Sequence, residues 1–134
     1  MNYWLLKTEP ETFSWNDLIR DKKAVWDGVR NFQARNHLKN MKLGDKALIY
    51  HTGEEKAVVG ISTVVRESYP EPKEPDWVAV DLAPDKALKN PVSLAKVKQD
   101  KSLQQMVLVK VARLSVQPVL KSEFDKIMEL SSKP

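Results

Sequence analysis

The stretch LGDKALIYHTGEEKAVVGISTVV at 43–65 constrains the fold of this chain more than any other segment. It opens with Gly-Asp at 44–45, a pair typical of turns, and β-branched residues are frequent in the runs that follow. Two such runs separated by a short polar loop are typical of a β-hairpin. The pattern therefore predicts strands at 46–51 and 56–65, joined by a loop at 52–55.

The rest of the chain alternates between short apolar runs and sequences that cap helices. Further strands are predicted at 2–7, 24–26, 77–82 and 107–116, with Pro118 ending the last of them. Helices are predicted at 15–21, 32–41, 93–99, 102–106 and 122–130. Their expected N-caps are Ser14 (paired with Asp17), Asn31, Ser93 and Ser122. The residues expected to face the core from the second and last helices are Phe32, Leu38, Met41, Phe124, Ile127 and Met128.

The order of these elements indicates the fold class. The chain lacks a regular βαβαβ rhythm, which argues against a doubly wound parallel sheet. The elements favour an α+β fold, in which a curved mixed sheet or partial barrel of five or six strands carries short peripheral helices. A chain of 134 residues suits one domain, predicted to span 1–134.

Composition excludes several classes of protein. The chain has no cysteine, so it can form neither a disulfide framework nor a thiolate zinc site. Its start, MNYWLLKTEPE, lacks the basic region and the long apolar core of a secretory signal. No apolar run approaches the roughly 18 residues that a membrane helix needs. These features predict a cytoplasmic protein without a membrane partner.

Positive charge is concentrated near the second predicted helix. The net charge is +4, and within 30–46 a single acidic residue, Asp45, stands among Arg30, Arg35, Lys39, Lys42 and Lys46. Such a surface attracts phosphates, although a solvated helix face is the commoner reason for a run of this kind. A protein-interaction module that docks an acidic partner on this helix is therefore an alternative function.

Catalytic motifs are missing from the sequence. The chain contains two histidines, and His37 falls on the basic helix as an expected surface residue. His51 ends a predicted strand, where it could serve as a general base for an enzyme acting on a nucleotide or nucleoside. The sequence has no GxSxG elbow, no HExxH and no glycine-rich phosphate loop. The chain is therefore predicted not to be an enzyme, with the His51 enzyme kept as an alternative.

A nucleobase pocket is the hypothesis that the segment VWDGVRNFQARN at 25–36 favours. A flat base with polar edges needs an aromatic plate together with hydrogen-bonding groups. Trp26 is the candidate plate, although it could equally pack in the core beside Val25 and Val29. Trp4 and Trp77 are expected in the core, and Trp15 is undecided. Candidate edge groups are Lys7, Thr8, Asn31, Tyr50, His51 and Thr52, and Arg30 and Arg35 are candidates for phosphates.

The blocks WLLKTEPETFSWNDL, VWDGVRNFQARNHLKNMKLGDKALIYHT, VVGISTVV and RLSVQPV resemble the EVE domain family over nearly the whole chain. The resemblance implies a PUA-like fold, similar to that of the YTH domains that bind methylated adenine in RNA. It also implies a reader of a modified base, most often a modified cytosine in DNA, flipped into an aromatic pocket. It implies no cofactor and no metal, and any cleavage would require a separate effector protein.

The resemblance also implies the residues of the site. Those carried over to the base pocket are Lys7, Thr8, Glu9, Trp26, Val29, Arg30, Asn31, Tyr50, His51 and Thr52, while Arg35, Lys39 and Lys42 are assigned to the nucleic-acid backbone. The second aromatic wall cannot be placed by matching. The segments 62–65 and 69–77 are the candidates for it.

Overall fold

The computed structural model describes residues 1–133, which form a sheet of six strands with short helices around it. The strands are β1 (Tyr3–Thr8), β2 (Ala24–Trp26), β3 (Lys46–His51), β4 (Ala57–Pro70), β5 (Val78–Ser93) and β6 (Val116–Val119). The helices are α1 (Trp15–Asp21), α2 (Phe32–Asn40), α3 (Leu94–Gln99), α4 (Val107–Lys110) and α5 (Lys121–Ser131), with a 3-10 turn at Lys101–Leu103. Within residues 1–133, no helix is long and apolar enough to cross a membrane.

The sheet is mixed and open, with the strand order β2-β5-β4-β3-β1-β6. The predicted hairpin is confirmed, because β3 and β4 pair antiparallel. β1 runs parallel to β3 on one side and antiparallel to β6 on the other. The short strand β2 pairs antiparallel with β5 at the opposite edge. The prediction of an α+β fold with a mixed sheet is therefore confirmed.

Side chains alternate along the central strands and so build two apolar cores, one on each face of the sheet. In β1, Trp4 and Leu6 enter the first core and Leu5 enters the second. In β3, Ile49 belongs to the first core and Tyr50 to the second. The first core also receives α1 and α2, and it is the one on which the site described below is built.

Three of the predicted helix starts are confirmed by their capping contacts. The hydroxyl of Ser14 accepts the backbone N–H of Asp17, whose carboxylate in turn accepts the N–H of Ser14. The side chain of Asn31 accepts the N–H of Ala34 at 2.9 Å, and Ser93 caps α3 in the same way. These contacts satisfy backbone donors that a helix leaves free in its first turn. They also fix where α2 begins, just after the loop that carries Arg30.

The predicted strand at 107–116 is wrong. Residues Val107–Lys110 form the one-turn helix α4, which buries Leu108, and the strand β6 begins only at Val116. β-branched residues favour strands mainly through packing, so tertiary contacts can override that preference. Pro118 lies inside β6 rather than ending it, which an edge strand allows because one side of its backbone needs no partner.

The N-cap of α5 also differs from the prediction. The cap is Leu120 rather than Ser122, and the carboxylate of Glu123 accepts the N–H of Leu120 at 2.9 Å. The cap therefore lies two residues earlier than predicted, and the helix begins at Lys121.

Two aromatic residues lie elsewhere than predicted. Phe32, expected to face the core, is 65% exposed, because it is the first residue of α2 and the buried face of that helix passes through Ala34 and Leu38. Trp77, expected inside a strand and in the core, lies just before β5 and is only partly buried. Both residues reappear at the edge of the site.

Candidate functional site

An open pocket of about 630 Å³ lies where the end of β1 meets β2 and the loop that follows β2. One side is formed by Lys7, Thr8 and Glu9, and the other by the continuous segment 24–30. The volume lies within the roughly 300–1,000 Å³ typical of sites for small organic groups. The structure thus brings together six residues predicted for the base pocket: Lys7, Thr8, Glu9, Trp26, Val29 and Arg30.

Two aromatic rings line this pocket at right angles to each other. The rings of Trp26 and Phe13 are 6.0 Å apart with an interplanar angle of 82°. Trp26 is held by the pairing of β2 with β5, opposite Val80, and it is partly buried rather than enclosed in the core. The carbonyl of Phe13 accepts the Thr8 hydroxyl at 2.6 Å, which ties this second ring to the end of β1.

Phe13, which the sequence analysis did not name, is the second aromatic residue in the lining of this pocket. Neither candidate segment, 62–65 or 69–77, contributes a residue to the pocket lining. Ser62 is buried in β4 with its hydroxyl donating to the carbonyl of Ala47, and Trp77 stacks on Phe32 beside the pocket. Phe13 directly precedes the N-cap of α1, so the start of that helix determines where its ring points. The only sequence feature that pointed to Phe13 was its position as a large apolar residue just before an N-cap.

The loop after β2 is anchored by Glu71, a buried carboxylate that the sequence analysis did not select. Glu71 accepts the N–H of Gly28 at 3.0 Å and two bonds from the Arg30 guanidinium at 2.8 and 2.9 Å. These contacts, chiefly those from Arg30, lower the pKa of Glu71, and Glu71 raises the pKa of Arg30. Gly28 has φ +78°, a conformation that side chains disfavour, so both the glycine and the carboxylate shape this wall.

Arg30 is thus less available to phosphates than predicted, and Lys7, predicted as a group for the edge of the base, is engaged by the protein itself. The fork of Arg30 is occupied by Glu71, and the ammonium of Lys7 donates to the carbonyl of Ala112. Partial burial also lowers the pKa of Lys7. Both side chains help to build the pocket wall, which is a different role from clamping a phosphate.

Charges around the pocket are balanced. Its lining contains three cations and three carboxylates: Lys7, Lys23, Arg30, Glu9, Asp21 and Asp27. A pocket of this kind gives little net attraction to a phosphate group. Carboxylates near an aromatic plate do provide acceptors for an exocyclic amine, such as the N4 amine of cytosine. The geometry therefore suits a neutral, flat group that carries an amine better than a free anion.

The strand end at 50–52 supports the pocket from outside rather than lining it. Tyr50 is buried in the second core, on the opposite face of the sheet from Trp26. The N–H of Thr52 donates to the carbonyl of Thr8 at 2.9 Å and so extends the pairing of β3 with β1. These residues fix the position of the end of β1, which carries the pocket side chains.

His51 is held by two hydrogen bonds in a buried position. Its Nε2 accepts the backbone N–H of Trp15 at 3.0 Å, and its Nδ1 lies 2.7 Å from the carboxylate of Glu55. Because a backbone N–H can only donate, Nε2 must be the unprotonated nitrogen and Nδ1–H must donate to Glu55. The imidazole therefore caps the start of α1, and these contacts give no support to its use as a general base.

The predicted backbone contacts divide into two groups. Lys39 and Lys42 are exposed in and just after α2, as a phosphate contact requires. Arg35 is partly buried, and it donates to the carbonyl of Asp76 at 2.9 Å. Asn31 is committed to capping α2. Of residues 1–133, no group of three or more His, Asp or Glu side chains is arranged to hold a metal ion.

Comparison with known proteins identifies the family. The EVE domain profile matches residues 2–130. Human thymocyte nuclear protein 1 is 34% identical over 168 aligned positions, which cover 98% of this chain and 75% of the human protein. The NMR structure of a protein from Rhodopseudomonas palustris is 41% identical and superimposes with a TM-score of 0.94, covering 98% of this chain and 94% of that one.

The crystal structure of the human THYN1 protein in complex with DNA containing 5-methylcytosine is equally similar in fold. Its TM-score is 0.94 at 33% sequence identity, and the superposition covers 100% of this chain and 99% of that one. Matches of this extent, at more than 30% identity, show common ancestry rather than a shared architecture alone. The chain belongs to the EVE domain family.

Proposed function

We propose that this chain binds nucleic acid and reads a modified base, a 5-methylcytosine in DNA, which it holds flipped out of the strand against Trp26. The observation that carries the proposal is the pocket itself. Two perpendicular aromatic rings, Trp26 and Phe13, line a space of about 630 Å³ whose charges balance. The human relative solved with 5-methylcytosine DNA, which superimposes over the whole chain, supports the choice of ligand.

Each part of the pocket has a role in this proposal. A base that leaves the duplex must recover the stacking it loses, and the face of Trp26 offers that contact. The carboxylates of Glu9 and Asp27 lie in the pocket lining, where they can accept the cytosine amine. The 5-methyl group adds apolar contact with the rings, which is worth about 1–3 kcal/mol of preference.

The backbone of the nucleic acid is assigned to the exposed basic residues. Lys39 and Lys42 lie outside the pocket and are exposed, so they can contact phosphates without entering it. Binding through them should weaken as salt increases, whatever the base. The preference for the modified base, in contrast, should depend on the pocket and change little with salt.

Equilibrium binding at one fixed, moderate salt concentration tests the proposal. Matched oligonucleotides carry cytosine, 5-methylcytosine, 5-hydroxymethylcytosine, adenine or N6-methyladenine, as single and as double strands. Trp26→Ala should lose the preference for the modified base, and Trp26→Phe, which retains an aromatic face, should keep part of it. Thermal unfolding of each variant checks that the fold persists, because Trp26 packs against the first core.

Two results would refute the proposal. Uniform affinity for all bases, unchanged by Trp26→Ala, would reduce Trp26 to a packing residue beside a basic helix. Loss of the folded state in Trp26→Ala together with undisturbed base preference in folded Trp26→Leu and Phe13→Leu variants would show that the rings serve stability alone.

A further inference from the structure

A second group of aromatic and cationic side chains lies directly beside the pocket. The rings of Phe32 and Trp77 stack 5.2 Å apart at an interplanar angle of 22°. The guanidinium of Arg35 lies 4.9 Å from the centre of the Phe32 ring and 5.5 Å from that of Trp77. Arg30 lies 5.4 Å from the Trp77 ring. We call these four residues the aromatic–arginine cluster.

The cluster is rigid where it meets the protein and open where it meets solvent. Arg35 is partly buried and donates to the carbonyl of Asp76, which fixes the segment that carries Trp77. Arg30 is held by its bidentate pair with Glu71. Phe32, in contrast, is 65% exposed, so its ring is a flat apolar surface backed by a second ring. An exposed aromatic ring held in a fixed orientation is suited to stacking against another flat group.

The cluster is continuous with the pocket through a single residue. Arg30 lines the pocket and also lies over Trp77. Phe32 follows Arg30 by two residues, across the Asn31 cap that fixes the start of α2. The cluster therefore borders the pocket on the side formed by Arg30.

The charges around the cluster indicate which class of ligand would bind there. The Arg30 guanidinium beside Trp77 is paired with Glu71, whereas Arg35 and the exposed Lys39 and Lys42 place positive charge along α2 and just after it. An aromatic face bordered by cations matches a nucleobase attached to a phosphate backbone. A neighbouring base that stays paired in a duplex can offer at most the one face that the flipped base has left, whereas an unpaired base can turn either face toward the exposed ring.

From these observations we propose that Phe32, backed by Trp77, is a stacking platform for the unpaired base next in the strand to the one held at Trp26. This rests on the proposed function, since it needs a base in the pocket. The structure thereby assigns to the chain a preference for locally unpaired DNA around the modified base, which the pocket alone would not produce.

The test compares two single-stranded oligonucleotides of thymines with one central 5-methylcytosine. In the second, the nucleotides on both sides of the modified base are replaced by abasic residues, so the phosphates stay and the flanking bases are lost. The proteins are the wild type, Phe32→Ala, Phe32→Tyr and Leu120→Ala. Leu120 is the matched control because it is equally exposed, at 65%, and lies beyond β6 at the far edge of the sheet from β2.

The platform predicts one pattern of affinities. Wild type should bind the abasic oligonucleotide about 5- to 100-fold more weakly than the intact one. Phe32→Ala should show the same loss on the intact oligonucleotide and little further loss on the abasic one, because both changes remove the same contact. Phe32→Tyr, which keeps the ring, and Leu120→Ala should behave like the wild type.

Other patterns overturn the platform. Wild-type affinity in Phe32→Ala would leave the cluster as a surface for a protein or as internal packing. Equal losses on both oligonucleotides would mean that Phe32 does not contact the flanking base. The ratio of affinities for 5-methylcytosine and cytosine tests the pocket separately. If the wild type binds 5-methylcytosine and cytosine equally well, the pocket proposal is refuted. If Phe32→Ala keeps the preference for 5-methylcytosine, and the abasic oligonucleotide binds as tightly as the intact one, only the platform is refuted.

Discussion

The contact between Gly60 and Trp15 permits a sharp test of how α1, and with it the pocket wall, is docked on the sheet. A Cβ atom added at Gly60 would lie 2.5–2.6 Å from three carbon atoms of the Trp15 indole. Carbon atoms in ordinary contact are about 3.5–4.0 Å apart, so in Gly60→Ala the indole would have to move by about 1 Å. Trp15 is buried in the first core with Leu18, and it is the first residue of α1, separated from Phe13 by the N-cap Ser14.

Two effects of opposite sign determine the stability of Gly60→Ala. Alanine loses less conformational freedom than glycine in a strand, which favours the variant by about 0.5–1 kcal/mol. Overpacking of a well-filled core costs about 1–3 kcal/mol. Because the obstacle is a buried ring rather than the flexible end of a side chain, overpacking should win. We expect a net loss of about 1–2 kcal/mol in the free energy of unfolding.

Urea denaturation of the wild type, Gly60→Ala, Trp15→Phe and the double variant measures this loss. The smaller ring of Trp15→Phe removes part of the overlap, so the double variant should be more stable than the sum of the single changes implies, by about 1 kcal/mol. A Gly60→Ala protein as stable as the wild type would refute the reasoning. Strict additivity of the two changes would do so as well.

Three further predictions concern single side chains. The buried carboxylate of Asp45 accepts the indole N–H of Trp4 and two backbone N–H groups. Asp45→Ala should therefore lower the free energy of unfolding by about 3 kcal/mol. A loss below about 1 kcal/mol in urea denaturation would contradict this. The pKa of Glu71 is below its ordinary 4.5 because of Arg30, so its contribution to stability is complete above that value and is lost as pH falls through the lowered pKa. The stability difference between wild type and Glu71→Gln should thus shrink as pH falls below about 4.5, and a constant difference in pH-dependent denaturation would exclude the linkage. His51→Ala should lower the free energy of unfolding by about 1–2 kcal/mol, because the first N–H of α1 loses its acceptor, and base preference should survive. Unchanged stability with lost base preference would contradict the capping role of His51.

Much of the local structure followed from the sequence because its causes lie within a few residues. The side chains of Ser14 and Asn31 cap helices by bonding to backbone groups three positions away. The hairpin of β3 and β4 follows from a turn between two β-rich runs. The prediction of the strand at 107–116 was wrong because a valine-rich sequence shows only that the segment is apolar. Its packing against the rest of the protein decides whether the segment forms a strand or a helix.

The pocket was predictable only in part. Trp26 and Thr8 were selected for their chemistry and again through the family resemblance, and Glu9 through the resemblance alone. The structure places all three around one opening. Phe13 and Glu71 were not selected. Glu71 contacts Gly28 across 43 positions of the chain, and no local pattern indicates a contact of that kind.

The sequence by itself determined the hairpin of β3 and β4, the starts of α1, α2 and α3, and the family that the blocks resemble. Those outcomes depend on backbone capping, side-chain alternation and turn residues, all of which act over short distances along the chain. Only the tertiary structure decided the strand order, the buried bond of His51 to α1, the anchoring of Arg30 by Glu71 and the exposure of Phe32. The reason is that each of these depends on which distant segments exclude water from one another, and that is settled when the whole chain packs.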